Sequence, residues 1–343
     1  MASKAPAAPV APLISVIICT YRREDLALRA IRSVVQDNSA DHEILVVDQD
    51  MEGSLGARIR ETFGSVLDLR YYRIPTVGLS QARNFGARHA AGRIVVFLDD
   101  DAQALPGWLS GYAEAFSQDP TPVMVGGRIL PEWEVPKPWW YPSCRVTILG
   151  AYDIGDQVMP FPASDLPVGA NFAILKEHLE RLGGFSEQLG FTAGRQMALG
   201  GEDSLIGAQV RQAQGLVLYH PRAVVTHLIR KGKLSPSYFI KRHFIEGRTQ
   251  IVVMDGVKTL EPAFLLGAAK WHAFSMLGSP VRLCRNVMRE RKLAPESLGE
   301  WVAATCLSLG VIHQCWRLYR RWRRVPVPGP APARPQPKAS EGR

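Results

Sequence analysis

Short apolar runs alternate along the chain with segments in which apolar residues recur every three or four positions. Leu13–Cys19 is rich in β-branched residues and interrupted only by Ser15. It predicts a strand buried on both faces. Glu24–Gln36 follows with helical periodicity, then a strand at Glu43–Val47 and a helix at Glu52–Phe63. Arg70–Ile74 predicts a short strand, and Ser80–Ala91 a helix opened by an N-cap serine. Ile94–Leu98 predicts a strand, Pro106–Gln118 a helix with proline in its first turn, and Val123–Ile129 a further strand. This β-α-β-α rhythm implies an α/β fold whose mostly parallel sheet has helices on both faces.

The rhythm breaks at residues 131–168. Pro131, Pro136, Pro138, Pro142, Pro160, Pro162 and Pro167 oppose long regular elements, and Trp133, Trp139, Trp140 and Tyr141 crowd the same segment. Such a stretch predicts a functional loop or lid. Helical patterns return at Leu175–Leu182, stopped by Gly183-Gly184, and at Ser204–Gln214, stopped by Gly215. The Ala/Pro-rich residues 1–12 and Pro-rich residues 326–343 predict disordered tails, and the first of these lacks the apolar core of a secretory signal.

Composition adds an asymmetry. The net charge of +9 divides unevenly: residues 220–343 hold 22 Lys+Arg against 7 Asp+Glu, and residues 1–219 hold 19 against 25. An acidic first half speaks against nucleic acid as a partner. Cys19, Cys144, Cys284, Cys306 and Cys315 show no metal-finger or disulfide spacing, which fits a reducing cytosol, with Cys19 a small core residue.

Candidate chemistry lies where apolar runs end. Ile94–Leu98 runs into Asp99-Asp100-Asp101, and Ile44–Val47 into Asp48 and Asp50. Open α/β sheets bind ligands at the carboxyl ends of their strands. Adjacent carboxylates repel unless a cation joins them, and hard oxygen ligands suit Mg²⁺ or Mn²⁺. Gly200-Gly201-Glu202-Asp203 opens a helix, where capping alone also favours acidic residues. No G-x-G-x-x-G, P-loop or serine elbow is present, which excludes those nucleotide and hydrolase sites.

Together, Ser15-Val-Ile-Ile-Cys-Thr-Tyr21, Val46-Val-Asp48, Ala82-Arg83-Asn84-x-Gly86 and Phe97-Leu-Asp-Asp-Asp101 resemble the family 2 inverting glycosyltransferases of GT-A fold. Gly169-Ala-Asn171, Gly183-Gly-Phe185, Gly201-Glu-Asp203, Tyr219-His-Pro221 and Val225-Thr-His227 continue the resemblance to about residue 250. It implies a catalytic domain over residues 13–232, with a nucleotide-sugar half (13–130) and an acceptor and catalytic-base half (131–232). It also implies roles. Thr20, Tyr21, Arg23, Asp48, Arg83, Asp99 and Asp100 would bind the nucleotide-sugar, with Arg83 meeting the diphosphate region and Asp100 having no defined role of its own. Asp99, Asp101 and His227 would hold Mg²⁺ or Mn²⁺. Asp203 would be the catalytic base with Glu202 beside it, and Asn171 would meet the acceptor. Independently of the resemblance, the rings of Trp133, Trp139 and Trp140 could stack on acceptor sugar faces or simply roof the sheet, and at least one of them is expected to meet the acceptor. One base without a carboxylate nucleophile implies single displacement and inversion; a glycosidase would need a flanking carboxylate pair.

Residues 233–325 predict a basic helical region. Phe264–Leu277 and Trp301–Trp316 are apolar, and each precedes an arginine cluster: Arg282, Arg285, Arg289, Arg291 and Lys292, then Arg317, Arg320, Arg321, Arg323 and Arg324. The second stretch has 16 residues without Asp, Glu, Lys or Arg, short of the ~20 that span a bilayer. An in-plane anchor on an anionic leaflet is expected, the alternative being a helical pair packed on the catalytic domain. The expected activity is transfer from a nucleotide-diphospho-sugar to a glycan or lipid-linked sugar in bacterial surface polysaccharide synthesis. The expected location is the cytoplasmic face of the plasma membrane, peripherally. A sugar nucleotidyltransferase is the second reading, weakened by the absence of a glycine-rich loop after the first strand. A non-enzymatic basic binding protein is the third.

Overall fold

The computed structural model describes residues 13–66, 68–190, 199–290 and 295–323, with side chains of 279–290 and Pro295 left aside. The tails expected at 1–12 and 326–343 lie outside these residues, as do the side chains of Cys284 and the first arginine cluster.

The first half follows the predicted alternation. β1 (Ile14–Thr20), α1 (Glu24–Val35), β2 (His42–Asp48), α2 (Leu55–Phe63), β3 (Leu69–Arg73), α3 (Leu79–His89) and β4 (Ile94–Asp99) succeed one another. Then come β5 (Ala102–Ala104), α4 (Trp108–Phe116), β6 (Met124–Trp133), β7 (Met159–Pro160), β8 (Asn171–Leu175), α5 (Lys176–Arg181), α6 (Glu202–Gln212) and β9 (Val217–Ile229). Three long helices close the chain: α7 (Pro236–Val257), α8 (Pro262–Glu290) and α9 (Pro295–Trp322).

Among the described residues one nine-stranded sheet runs β3-β2-β1-β4-β8-β6-β9-β5, with β7 paired to β9. Strands β1 to β4 are mutually parallel, whereas β8 runs antiparallel to both β4 and β6. The sheet is therefore mixed: β6 and β9 are again parallel to each other, while β8, β5 and β7 join their neighbours antiparallel. β8 was not expected, because Asn171-Phe-Ala-Ile-Leu175 is a short apolar run that periodicity cannot separate from the helix after it. β6 also enters the proline-rich segment. Its pairing with β8 ends at Gly126 while its pairing with β9 continues to Trp133. Pro131 thus lies where β6 has lost one neighbour, and its missing N–H costs no ladder bond on that side.

Consecutive strand residues point to opposite faces, and β8 shows what each face holds. Phe172 stacks on Phe97 at 4.9 Å beneath Arg83 of α3. Asn171, fully buried, turns to α4. Its carbonyl oxygen accepts from Trp108 Nε1 (2.8 Å) and Tyr112 Oη (2.6 Å), and its amide donates to the carbonyls of Arg128 (3.0 Å) and Ala223 (2.8 Å). The amide is saturated by protein groups, which corrects its expected acceptor contact. Asn171 pins the helix layer to the sheet.

The aromatic segment is also structural. Trp140 packs edge-on against Phe239 of α7 at 5.3 Å, and Trp133 and Trp140 border an apolar cluster of Tyr141, Leu149, Ile229, Leu234, Phe239 and Ala303. Trp139 is 74 % exposed. Lys137 reaches Glu296 of α9 at 3.0 Å, so the segment is clasped to the last helix. Helices α7 and α9 cross closely at Gly247 and Gly310, where each glycine abuts backbone of the other helix.

Asn171→Ala would leave a buried indole N–H, a phenol and two carbonyls unpaired. It should cost about 3 kcal/mol or more, read as a large drop in melting temperature. An unshifted transition would contradict this structural role.

Candidate active site

At the carboxyl ends of β1 and β4 the chain must turn sharply. Arg22 takes a φ of 55°, unusual outside glycine, and brings Arg23 back over the strand ends. There a cleft of about 1390 Å³ opens, ample for a sugar nucleotide. Thr20, Tyr21, Arg23, Gln49, Arg83, the Asp99–Asp101 triplet, Gly169, Glu202, Asp203 and His227 all line it.

The three aspartates of the triplet have separate partners. Asp100 accepts from Thr20 Oγ1 (2.8 Å) and pairs with Arg23 at 3.0 Å. Burial pushes its carboxyl up to about 6 against the opposing charge of Arg23. Asp100, for which the sequence offered no role, ties the end of β1 and Arg23 to the floor. Asp101 turns the other way. Its Oδ2 faces Arg23 (3.3 Å) and Lys233 (3.6 Å), and its Oδ1 meets His227 Nε2 at 3.1 Å. Burial would raise its pKa, but the His227 hydrogen bond and the charges of Lys233 and Arg23 hold it well below the usual range.

His227 arrives from β9, opposite Ala102 of β5. Gly150 packs against its ring: a Cβ there would lie 2.7 Å from Cε1, and the φ of +89° already favours glycine. One ligand atom each from Asp99, Asp101 and His227 lie within 4.8 Å of one another. His227 Nδ1 is buried with no partner. Two carboxylates and an imidazole suit a divalent cation of intermediate softness.

The other end of the site hangs on Arg83. Only 2 % of it is exposed, and Phe97, Phe172 and Phe185 each lie 5.7 Å from its guanidinium carbon. Its Nη2 donates to Asp99 Oδ1 (3.0 Å) and the Gly169 carbonyl (2.8 Å), and its Nη1 to Glu202 Oε1 (2.8 Å). Burial disfavours its charge, yet Asp99, Glu202 and Asp203 more than offset this and raise its pKa. Arg83 is a buried strut between carboxylates on the floor of the cleft.

Gly169 completes the strut. Its N–H donates to Asp203 Oδ2 (2.6 Å) while its carbonyl accepts from Arg83. A Cβ there would lie 2.8 Å from Asp203 Oδ2 and 3.0 Å from Arg83 Nη2, so a larger residue would push these groups out of their present geometry. Asp203, at the start of α6 and partly exposed, also accepts from Ser204 N at 2.7 Å. Glu202 is 4 % exposed, and its Oε2 has no partner. Burial and the Asp203 charge lift its pKa to about 7, against Arg83. Its expected catalytic part is revised to holding Arg83.

Asp48 lies behind the cleft, buried and engaged by Tyr71 Oη (2.8 Å) and Asp50 N (2.9 Å), so Gln49 faces the cavity instead. Trp133, Trp139 and Trp140 do not line the cleft, which corrects their expected acceptor contacts. Lys233, Arg145 and the α7 residues Tyr238, Arg242 and His243 do, although the sequence pattern closes the catalytic domain at 232. Only the positive charge around 230–233 hinted at them.

Residues 15–183 match the family model described as Glycosyl transferase family 2. The chain carries a family 2 glycosyltransferase domain. Among curated proteins it is 23 % identical to glucosyl-dolichyl phosphate glucuronosyltransferase of Haloferax volcanii over 70 % of this chain and 77 % of that protein. It is 25 % identical to the succinoglycan biosynthesis protein ExoM of Rhizobium meliloti over 69 % and 73 %. The mannosyltransferase PcManGT of Pyrobaculum calidifontis, solved with GDP-Man and Mn²⁺, shares the glycosyltransferase fold: TM-score 0.56, 17 % identity, 90 % of this chain and 88 % of that one.

Two outcomes follow from the strut. Arg83→Met would strand Glu202 and cost about 3 kcal/mol or more, read by thermal denaturation at pH 8. Glu202 has a folded pKa near 7 against an ordinary 4.5, so its protonated form stabilises the fold below pH 4.5 and that contribution disappears as pH rises through 7. Glu202→Gln, fixed neutral, should therefore melt higher relative to wild type at pH 8 than at pH 5; a pH-independent difference would refute the shift.

Proposed function

We propose that this protein is a metal-dependent, inverting glycosyltransferase that moves a sugar from a nucleotide-diphospho-sugar to a hydroxyl of a glycan or lipid-linked acceptor. One observation carries the reading. Asp99, Asp101 and His227, which together could hold a cation, and the half-open carboxylate Asp203 share one cleft and are joined through Arg83 and Gly169.

Asp99, Asp101 and His227 would hold Mn²⁺ or Mg²⁺, which when bound neutralises the departing diphosphate. Thr20, Tyr21, Arg23 and Gln49 line the side of the cleft suited to the nucleotide. Asp203 takes the proton from the acceptor hydroxyl. The Gly169 N–H donates to its Oδ2 and fixes its direction. Glu202 is buried with its Oε1 on Arg83, which supports Asp203 as the one carboxylate open to the acceptor and hence single displacement with inversion.

The activities named for the relatives, on a lipid-linked sugar and in polysaccharide synthesis, support a surface polysaccharide or glycolipid product. None of the described helices is long and apolar enough to cross a membrane. α8 exposes Phe264 (43 %), Trp271 (66 %), Phe274 (76 %) and Leu277 (76 %) ahead of Arg282, Arg285 and Arg289. This pattern supports peripheral attachment to the anionic inner face of a bacterial plasma membrane.

A panel of UDP-, GDP- and dTDP-sugars with Mn²⁺ or Mg²⁺, read by thermal shift and turnover, tests the reaction. Asp101→Ala should lose metal-dependent donor binding. Asp203→Ala should keep it and lose transfer by about 10²-fold or more; the reverse pattern would overturn the assignment. Trp271→Ser with Phe274→Ser should release the protein from phosphatidylglycerol vesicles in a sedimentation assay. Equal sedimentation of wild type with neutral vesicles would count against the anionic surface.

A further inference from the structure

The cleft has a second wall, built by α7 and the 3₁₀ turn Ser143–Leu149, that the transfer chemistry leaves unused. Three of its residues stand out. His243 is 1 % exposed; its Nδ1 lies 2.8 Å from the Phe239 carbonyl, and its Nε2 is buried with no partner. A carbonyl only accepts, so Nδ1 carries the proton and Nε2 presents a lone pair. Burial, with the charges of Arg145 and Arg242, holds its pKa near 4 and keeps the ring neutral.

Arg145 makes no side-chain hydrogen bond or ion pair among the described residues, and its Nε is buried without a partner. Among the described residues Arg242 pairs with Glu246 alone, at 3.3 Å, and Arg145 with no carboxylate. A buried, unpaired arginine donor is costly unless a ligand completes it.

The location speaks for the acceptor. Gly201, two residues before Asp203, abuts Thr249 of α7. His243 lies six residues earlier on that helix, about 9 Å along its axis, a span commensurate with one sugar bearing an anionic substituent. The donor diphosphate belongs instead with Asp99, Asp101 and His227.

We propose that Arg145 and Arg242 form an anion subsite for the acceptor, taking a phosphate or carboxylate on it, while His243 Nε2 accepts a hydrogen bond from a neighbouring acceptor hydroxyl. The subsite makes the enzyme selective for negatively charged acceptors. The acceptor assignment rests on the glycosyltransferase reading above; the anion site itself does not.

The test is calorimetric titration of the full chain in EDTA with glucose 1-phosphate, glucuronate and neutral methyl glucoside. One of the two anionic probes should bind about tenfold or more tightly than methyl glucoside, as charged hydrogen bonds of ~1.5–3 kcal/mol imply. Whichever anionic probe is preferred identifies phosphate or carboxylate as the group. Arg145→Gln and Arg242→Gln should each abolish the preference, and Arg145→Lys should restore part of it. Mn²⁺-dependent binding of the nucleotide-sugar should stay within about twofold in all three variants, which separates this site from the donor site. Equal binding of charged and neutral probes by wild type, or a preference that survives both glutamine variants, overturns the proposal. Should either glutamine variant fail to fold, the wild-type comparison and Arg145→Lys still decide. If no nucleotide-sugar binds but the arginine-dependent preference stands, the transferase reading fails and the anion site remains.

Discussion

The site depends on a buried guanidinium that cannot lose its charge. Arg83 sits beneath the cleft among three phenyl rings and holds Asp99 on one side and Glu202 on the other. Removing a charge from water is expensive, and only well-placed opposite charges and hydrogen bonds make it tolerable. Arg83 therefore dictates where its carboxylates stand. Through Gly169, whose carbonyl it binds and whose N–H holds Asp203, the same strut sets the direction of Asp203. The Asp99 and Asp203 ends of the cleft, far apart in sequence, are kept in register by one side chain.

Around this strut, neighbouring carboxylates acquire different characters. Asp100 and Asp101 are adjacent and almost equally buried, yet one is pushed up to about 6 and the other is driven well below the ordinary range. The difference lies in their partners. Asp100 has Thr20 and part of Arg23, whereas Asp101 has His227, Lys233 and Arg23. Glu202 and Asp203 diverge likewise: one is sealed on Arg83 with an unpaired oxygen, the other partly open to the cleft. Such separation gives carboxylates in one cleft different proton affinities and different access to it.

The C-terminal helices complete the cleft as well as follow it. α7 packs along α6, which carries Asp203, and lines the cavity with Arg242 and His243. The segment at 131–168 fastens these helices to the sheet through Trp140, Tyr141 and Lys137. It also lines the cleft, with Arg145, Leu149, Gly150 and Tyr152 from its middle and Ala163–Val168 from its end.

The alternating periods of 2 and 3.6, the β-branched runs and the helix punctuation sufficed to read the parallel half of the fold from sequence. They also placed Asp99–Asp101 on a strand end, because a buried strand cannot continue through three charges. These are local properties, written in consecutive residues. β8 escaped, since five apolar residues before a helix have no period of their own. Asn171 was misread because its four partners come from α4, β6 and the bulge within β9, none near it in sequence. Arg83 was legible as a site residue but not as a strut, because its burial arises only when α3, β4, β8 and α6 close around it. Composition and pattern determined which charges the chain carries and where its strands end. Only the tertiary structure decided which of those charges are paired, buried or left facing the cleft, because desolvation and pairing depend on groups that folding brings together from distant positions.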